Sequence, residues 1–177
     1  MSFSVTLAGK EHLAAIGPIE TAAATLFSEA DLPADIRYRV TATDVLHEAQ
    51  DDARIWVALA DGDLPVGFAM ATLVDNEAHL DELNVLPNYG RRGIGTELVK
   101  AVTRWARDDG FSVLTLITFK HLPWNAAFYE NLGFVRLTAA ELDGELAGLI
   151  AEEGKAGIDV NKRLAMQLVL DRTVTAS

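Results

Sequence analysis

The apolar positions of this chain fall into two periods, and they alternate along its length. Phe3 to Leu7 alternates like a short strand, whereas from Glu11 to about Ala30 the apolar residues Leu13, Ile16, Ile19, Ala23, Leu26 and Phe27 recur at helical spacing. A second short helix is expected over Thr43 to Gln50, with Thr43 or Asp44 as its N-cap. Arg54 to Ala60 and Val66 to Val74 read as strands joined by a hairpin at Asp61-Gly62. Asp75-Asn76 turns the chain again into His79 to Leu86, so three antiparallel strands in succession are expected.

The clearest helix runs from Thr96 to Asp109, with Ile94, Leu98, Val102, Trp105 and Ala106 on one face and Gly110 beyond its end. Ser112 to Thr118 is β-branched and almost wholly apolar, as in a strand covered on both faces. After Pro123 a short helix, Asn125 to Leu132, closes at Gly133 before a strand over Phe134 to Leu137. A helix over about Glu145 to Gly154 and a strand over Arg163 to Leu170 complete the pattern. The order predicts an α/β (α+β) protein, a mixed, mostly antiparallel twisted sheet flanked by helices. With no repeat, low-complexity tract or linker, residues 1–177 are expected to form one domain.

Composition narrows the function classes. The chain has no cysteine, so disulfides, thiolate catalysis and a cysteinyl acyl-enzyme are ruled out. No export signal or membrane span is read, which sets the expectation of a cytoplasmic protein. Twenty-six acidic residues against fifteen basic ones give a net charge of −11, which disfavours nucleic acid as a partner. An acidic surface suits cationic amines, although solubility alone also explains it. His79 and His121 stand without paired ligands, so no metal site is read.

Against that acidic background the stretch LNVLPNYGRRGIGTELVKAVTRW, Leu83 to Trp105, is conspicuous. A strand that enters a turn of small residues and then a helix presents unpaired backbone N–H groups at the positive end of the helix dipole. Phosphate is the usual guest of such a site, and Arg91 and Arg92 add charge that a diphosphate could pair with. A tight turn whose glycines serve packing is the competing reading. The Walker pattern fails because no Gly-Lys-Ser/Thr follows the second glycine. The dinucleotide pattern fails because Leu98 occupies the place of the third glycine.

Two phrases, VLPNYGRRGIGTELV and WNAAFYENLGF, together with the order of elements, resemble the GNAT superfamily of acetyl-CoA-dependent N-acetyltransferases. The resemblance covers about Arg54 to Leu137. It implies a splayed central strand ending at Leu83, Asn84 and Val85, whose backbone meets the pantetheine arm of coenzyme A. It also implies a loop from Gly90 through Arg91, Arg92, Gly93, Ile94, Gly95 and Thr96 that wraps the pyrophosphate with its amides. One position departs from the family, because Gly90 stands where arginine or glutamine belongs.

In the second phrase, Asn125 and Tyr129 lie four apart and share a helical face. The resemblance implies that Asn125 bonds the cofactor and that Tyr129 is the general acid for the departing thiolate, a donor of suitable basicity. A tyrosine half-buried against the sheet is the plainer alternative, and Phe128 and Phe134 are read as core. An attacking amine must also lose a proton, for which Asp81 and Glu82 are the candidate bases; parity along the strand leaves the choice open.

TFKHLPWN, Thr118 to Asn125, reads as a stiff wall in which Phe119 and Trp124 shape a pocket or simply cover the sheet. The segment Leu142 to Asp159 is read as a lid, an acceptor wall or a homodimer contact. The function expected is transfer of acetyl from acetyl-CoA to a small-molecule or peptide primary amine, by direct attack in a ternary complex. The alternative is an acyl-CoA-binding sensor or scaffold of the same fold.

Overall fold

The structure, a computed structural model, describes residues 2–171. Its seven strands are β1 (Phe3–Leu7), β2 (Ile55–Ala60), β3 (Leu64–Val74), β4 (Glu77–Val85), β5 (Val113–Phe119), β6 (Val135–Arg136) and β7 (Arg163–Val169), in the sheet order β1-β2-β3-β4-β5-β7-β6. The helices are α1 (Ile16–Ala24), α2 (Ala34–Arg37), α3 (Thr43–Asp51), α4 (Ile94–Asp108), α5 (Ala126–Glu130) and α6 (Gly144–Lys155). The mixed, mostly antiparallel sheet expected from the periodicity is present. The chain divides into two compact units, one made of residues up to Thr72 with Leu80–Val102, the other of Leu73–His79 with the residues from Thr103 onward.

In the first unit β1 pairs antiparallel with β2 from Phe3↔Ala60 to Leu7↔Trp56, and β2 pairs antiparallel with β3. Gly62 and Asp63, at φ 74° and 64°, form the hairpin, since two left-handed residues match the twist of the strands they join. Strand alternation sends Ile55, Val57, Phe68 and Met70 to one face, where Ile16 and Ile19 of α1 and Leu46 and Ala49 of α3 cover them. The register slips at Ala58/Leu59.

The first helix differs from its expected span, Glu11 to Ala30. Lys10–Ala15 is a 3₁₀ turn, and the α-helix begins only at Ile16. Pro18 has no N–H to continue an α ladder back through that turn. At the other end the Thr25 hydroxyl bonds the Ala22 carbonyl, and the amides of Leu26 and Phe27 reach back only three residues, so the helix tightens and stops. α2, opened by Pro33, was not read from the periodicity because it is a single turn. α3 starts as expected, but its N-cap is Ala42; Asp44 accepts the Val45 amide from inside the first turn.

In the second unit β5 pairs antiparallel with β7 from Val113↔Val169 to Phe119↔Arg163, and β6 pairs antiparallel with β7. The start of β4 meets β5 in ascending order: Glu77 takes the amides of Ser112 and Val113, then Ala78 and His79 meet Thr115. Two strands whose contacts climb together run parallel. α6 covers Val74 and Ala165 with Leu146 and Ile150. Its first turn is capped from 70 residues away. Asp75 accepts the amides of Glu145 (2.9 Å) and Leu146 (3.1 Å), and the Glu145 carboxylate accepts the Asp75 amide (2.7 Å). The other end of α6 is tied by Glu153, which holds Arg163 through two 2.7 Å bonds. The segment read as a lid, wall or dimer contact is therefore a helix anchored at both ends.

Candidate functional site

In the first unit, β4 delivers Leu83, Asn84 and Val85, all half-buried, to a short 3₁₀ turn at Pro87–Tyr89 and then to the glycine-rich loop. Gly67 on β3 sits opposite. A β-carbon placed there would lie 2.9 Å from the Asn84 carbonyl oxygen, 3.1 Å from the Val85 side chain and 3.4 Å from Ile94. Only glycine permits that approach, and an isolated glycine within the strand phrase VGFAMATLV is the sequence signal that could have found it.

The loop takes its shape from two left-handed residues, Arg91 at φ 58° and Gly93 at φ 82°. Glycine at position 93 is what that backbone asks for. Arginine at position 91 is not, because a β-carbon in the left-handed region costs about 1–2 kcal/mol. Gly90, by contrast, has φ −61°, which any residue adopts. The pair is thus inverted, with glycine where it is not needed and arginine where glycine would be easier. Arg91 is exposed, and Arg92 bonds the Asn88 carbonyl (2.9 Å) while its guanidinium stands 5.2 Å from the Tyr89 ring centre.

The helix that follows begins at Ile94, and the Glu97 amide bonds the Gly93 carbonyl (3.0 Å). The amides of Ile94, Gly95 and Thr96 precede it and have no carbonyl within the helix to pair with. They point along the axis at its positive end, where an anion is favoured. Ile94 and Leu98 are buried and anchor that first turn.

Of the two candidate bases, Asp81 is exposed and Glu82 is half-buried. Glu82 shares a strand face with Asn84, whose side-chain amide donates to it at 2.7 Å, while adjacent Asp81 points to the other face. That bond fixes the orientation of the carboxylate.

In the second unit, Asn125 occupies the N-cap place of α5 but makes no side-chain capping bond. Its carbonyl accepts the amides of Phe128 (3.0 Å) and Tyr129 (3.3 Å), which starts the turn. Tyr129 is half-buried, its ring edge-on to Phe128 (5.0 Å) and Phe134 (5.7 Å). Phe134 is buried as expected and Phe128 only partly so. Gly133, at φ 93°, reverses the chain beneath them. Within TFKHLPWN, Phe119 is buried under Arg163, whose guanidinium lies 4.2 Å from its ring centre, whereas Trp124 is half-exposed.

The histidines differ. His79 is buried with its Nδ1 2.7 Å from the Thr115 hydroxyl, and burial pushes its pKa down to about 4, so it is a neutral structural residue. His121 is exposed, with its ring edge-on to Phe119 at 5.7 Å. Among the described residues no group of three or more His, Asp or Glu side chains is placed to hold a metal ion, and no helix is long and apolar enough to cross a membrane.

Residues 21–134 match the family described as acetyltransferase (GNAT). Peptidyl-lysine N-acetyltransferase YjaB of Salmonella typhimurium is 29% identical over 106 residues, 60% of this chain and 67% of that one. Thialysine N-ε-acetyltransferase of Caenorhabditis elegans is 28% identical over 106 residues, 52% of this chain and 64% of that one. The chain spans about half the length of the curated relatives it matches. Among solved structures, the PaiA N-acetyltransferase of Thermoplasma acidophilum, in complex with coenzyme A, superposes with a TM-score of 0.71 at 20% identity, over 96% of this chain and 99% of that one. A match that takes in both the strand-to-helix loop and the tyrosine helix, on a sheet of the same fold, places this chain in the acetyltransferase (GNAT) family.

Proposed function

We propose that residues 1–177 form one N-acetyltransferase domain that transfers the acetyl group of acetyl-CoA to a primary amine by direct attack. The observation that carries this reading is the loop at the start of α4, which spends backbone strain to hold an arginine beside three helix-terminal amides. The fit to coenzyme A is chemical: amides and guanidinium groups suit a diphosphate, and the close β3–β4 approach at Gly67 leaves the backbone of Leu83, Asn84 and Val85 as the platform for an amide-rich pantetheine arm.

In this mechanism the amides of Gly93, Ile94, Gly95 and Thr96, with Arg91 and Arg92, hold the pyrophosphate. Asn125, whose side chain does not cap its helix, bonds the cofactor. Glu82 takes the proton of the attacking ammonium, directly or through water. Asp81, exposed on the other strand face, is the weaker candidate. The neutral amine attacks the thioester carbonyl to give a tetrahedral intermediate that collapses as the carbon–sulfur bond breaks; Tyr129 donates its phenolic proton to the departing thiolate, and the second proton of the attacking nitrogen is lost to solvent. Two relatives are named for the ε-amine of thialysine and for peptidyl-lysine, which makes lysine-type amines the first acceptors to try.

Two measurements test the reading. Acetyl-CoA at a hundred times its Kd adds about 2.7 kcal/mol to stability, so the melting temperature rises by several degrees. No shift at millimolar ligand refutes the cofactor assignment. Release of free thiol across lysine, thialysine, polyamines, aminoglycosides and peptide amino termini then reports transfer, and absence of release from every amine refutes the enzyme reading.

A further inference from the structure

Pro87 opens the short 3₁₀ turn Pro87–Tyr89, in which the Tyr89 amide bonds the Leu86 carbonyl (2.8 Å) and the Gly90 amide bonds the Pro87 carbonyl (3.2 Å). The half-buried ring of Tyr89 therefore leaves from a stiff piece of backbone. The chain then turns at Arg91, whose left-handed φ is 58°, and Arg92 comes back over the residues just passed. Its guanidinium donates to the Asn88 carbonyl at 2.9 Å and lies 5.2 Å from the centre of the Tyr89 ring, within cation–π range.

Arg92 is nonetheless exposed. Such contacts add little to the stability of a fold, because water would otherwise solvate the arginine and because holding a long side chain costs rotamer freedom. A ligand gains more from them. An arginine already in place has little rotamer freedom left to lose when an anion arrives. A ring engages the face of a guanidinium, while its N–H donors lie in the plane at its edge, where they can meet phosphate oxygens. We propose that Tyr89 is a positioning residue for acetyl-CoA binding: together with the Asn88 carbonyl, its ring holds the Arg92 guanidinium ready for the pyrophosphate. This rests on the acetyl-transfer reading and deepens it, since it gives the 3₁₀ turn before the glycine loop a part in gripping the cofactor.

The test measures acetyl-CoA affinity by calorimetric titration. Tyr89→Leu keeps apolar bulk but removes the π face, and is expected to weaken binding about two- to tenfold, the fold-change of having to order one long side chain on binding. Tyr89→Phe keeps the ring and is expected to restore the affinity of the wild type. In an Arg92→Met background, Tyr89→Leu is expected to have no further effect, because there is no guanidinium left to hold. Unchanged affinity in Tyr89→Leu, an equal loss in both backgrounds, or a loss in Tyr89→Phe as large as in Tyr89→Leu overturns the proposal. Should Tyr89→Leu melt early, NMR relaxation of the Arg92 Nε–H in the free wild type decides, an order parameter above about 0.6 supporting the brace and a lower one overturning it. If acetyl-CoA does not bind the wild type, the cofactor reading fails separately, and inorganic pyrophosphate becomes the probe. It must then raise the melting temperature of the wild type more than that of Tyr89→Leu, and equal shifts overturn the brace.

Discussion

Replacing Arg91 by glycine should move stability and cofactor affinity in opposite directions. At φ 58° the arginine β-carbon costs about 1–2 kcal/mol. Glycine removes that cost but gives back about 0.5–1 kcal/mol through the greater freedom of the unfolded chain. The net gain is about 0.5–1 kcal/mol, which in a chain of this size raises the melting temperature by about 1–4 °C. If Arg91 meets the pyrophosphate, its loss removes a charge-assisted hydrogen bond of about 1.5–3 kcal/mol, weakening acetyl-CoA binding by about 10- to 100-fold. Thermal melts of the free protein and calorimetric titration with acetyl-CoA measure the two effects independently. The companion swap, Gly90→Arg with Arg91→Gly, puts the arginine where φ is −61° and a β-carbon meets only the Pro87 carbonyl at 3.2 Å, so it should recover part of the affinity while keeping the added stability. A more stable Arg91→Gly protein that binds acetyl-CoA as tightly as the wild type would falsify the reading of Arg91 as a strained phosphate ligand. A less stable one would show that the loop does not strain at that position.

Four further outcomes follow from the geometry. Tyr129→Phe keeps the ring contacts with Phe128 and Phe134, so turnover should drop about 10²–10⁴-fold with acetyl-CoA affinity retained; unchanged kcat removes Tyr129 as the acid. Gly67→Ala pushes a methyl to 2.9 Å from the Asn84 carbonyl oxygen, and should cost about 1–3 kcal/mol in urea unfolding and weaken acetyl-CoA binding, neither of which occurs if β3 and β4 can part freely. His79 is neutral in the fold with a pKa of about 4 against 6.5 unfolded, so the unfolded chain binds the extra proton: its contribution is complete above pH 6.5, declines as pH falls to about 4, and totals about 3 kcal/mol, to be read as the difference between wild type and His79→Gln across that window. Parallel pH profiles for the two proteins would dismiss this. Asp75→Ala removes the cap of α6 and leaves alanine at φ 53°, so a loss of about 2 kcal/mol is expected, with Asp75→Asn recovering part of it.

Local chemistry determined most of the elements. β1 is found where alternation placed it, β7 ends within a residue of its expected span, and α4 ends where Gly110 stops it, because period, turn residues and caps act within a few residues of one another. The same holds for the two phrases that carry the proposed site, since a glycine turn opening a helix and an Asn-x-x-x-Tyr face are both short-range patterns. Where short-range rules compete, only the folded chain decided. The helix expected to run to Ala30 stops at Ala24 because Thr25 and the tightened turn after it outweigh the spacing of Leu26 and Phe27. Gly67 looked like any strand glycine until β4 was laid beside it. That the Asn84 amide meets Glu82 was likewise visible only in the folded strand. The cap of α6 lies 70 residues upstream in Asp75. Chain neighbours reveal which residues can make a turn or a helix; the close approach of β3 to β4 at Gly67 and the Asp75 cap of α6 join residues distant in sequence, and only tertiary packing brings those together.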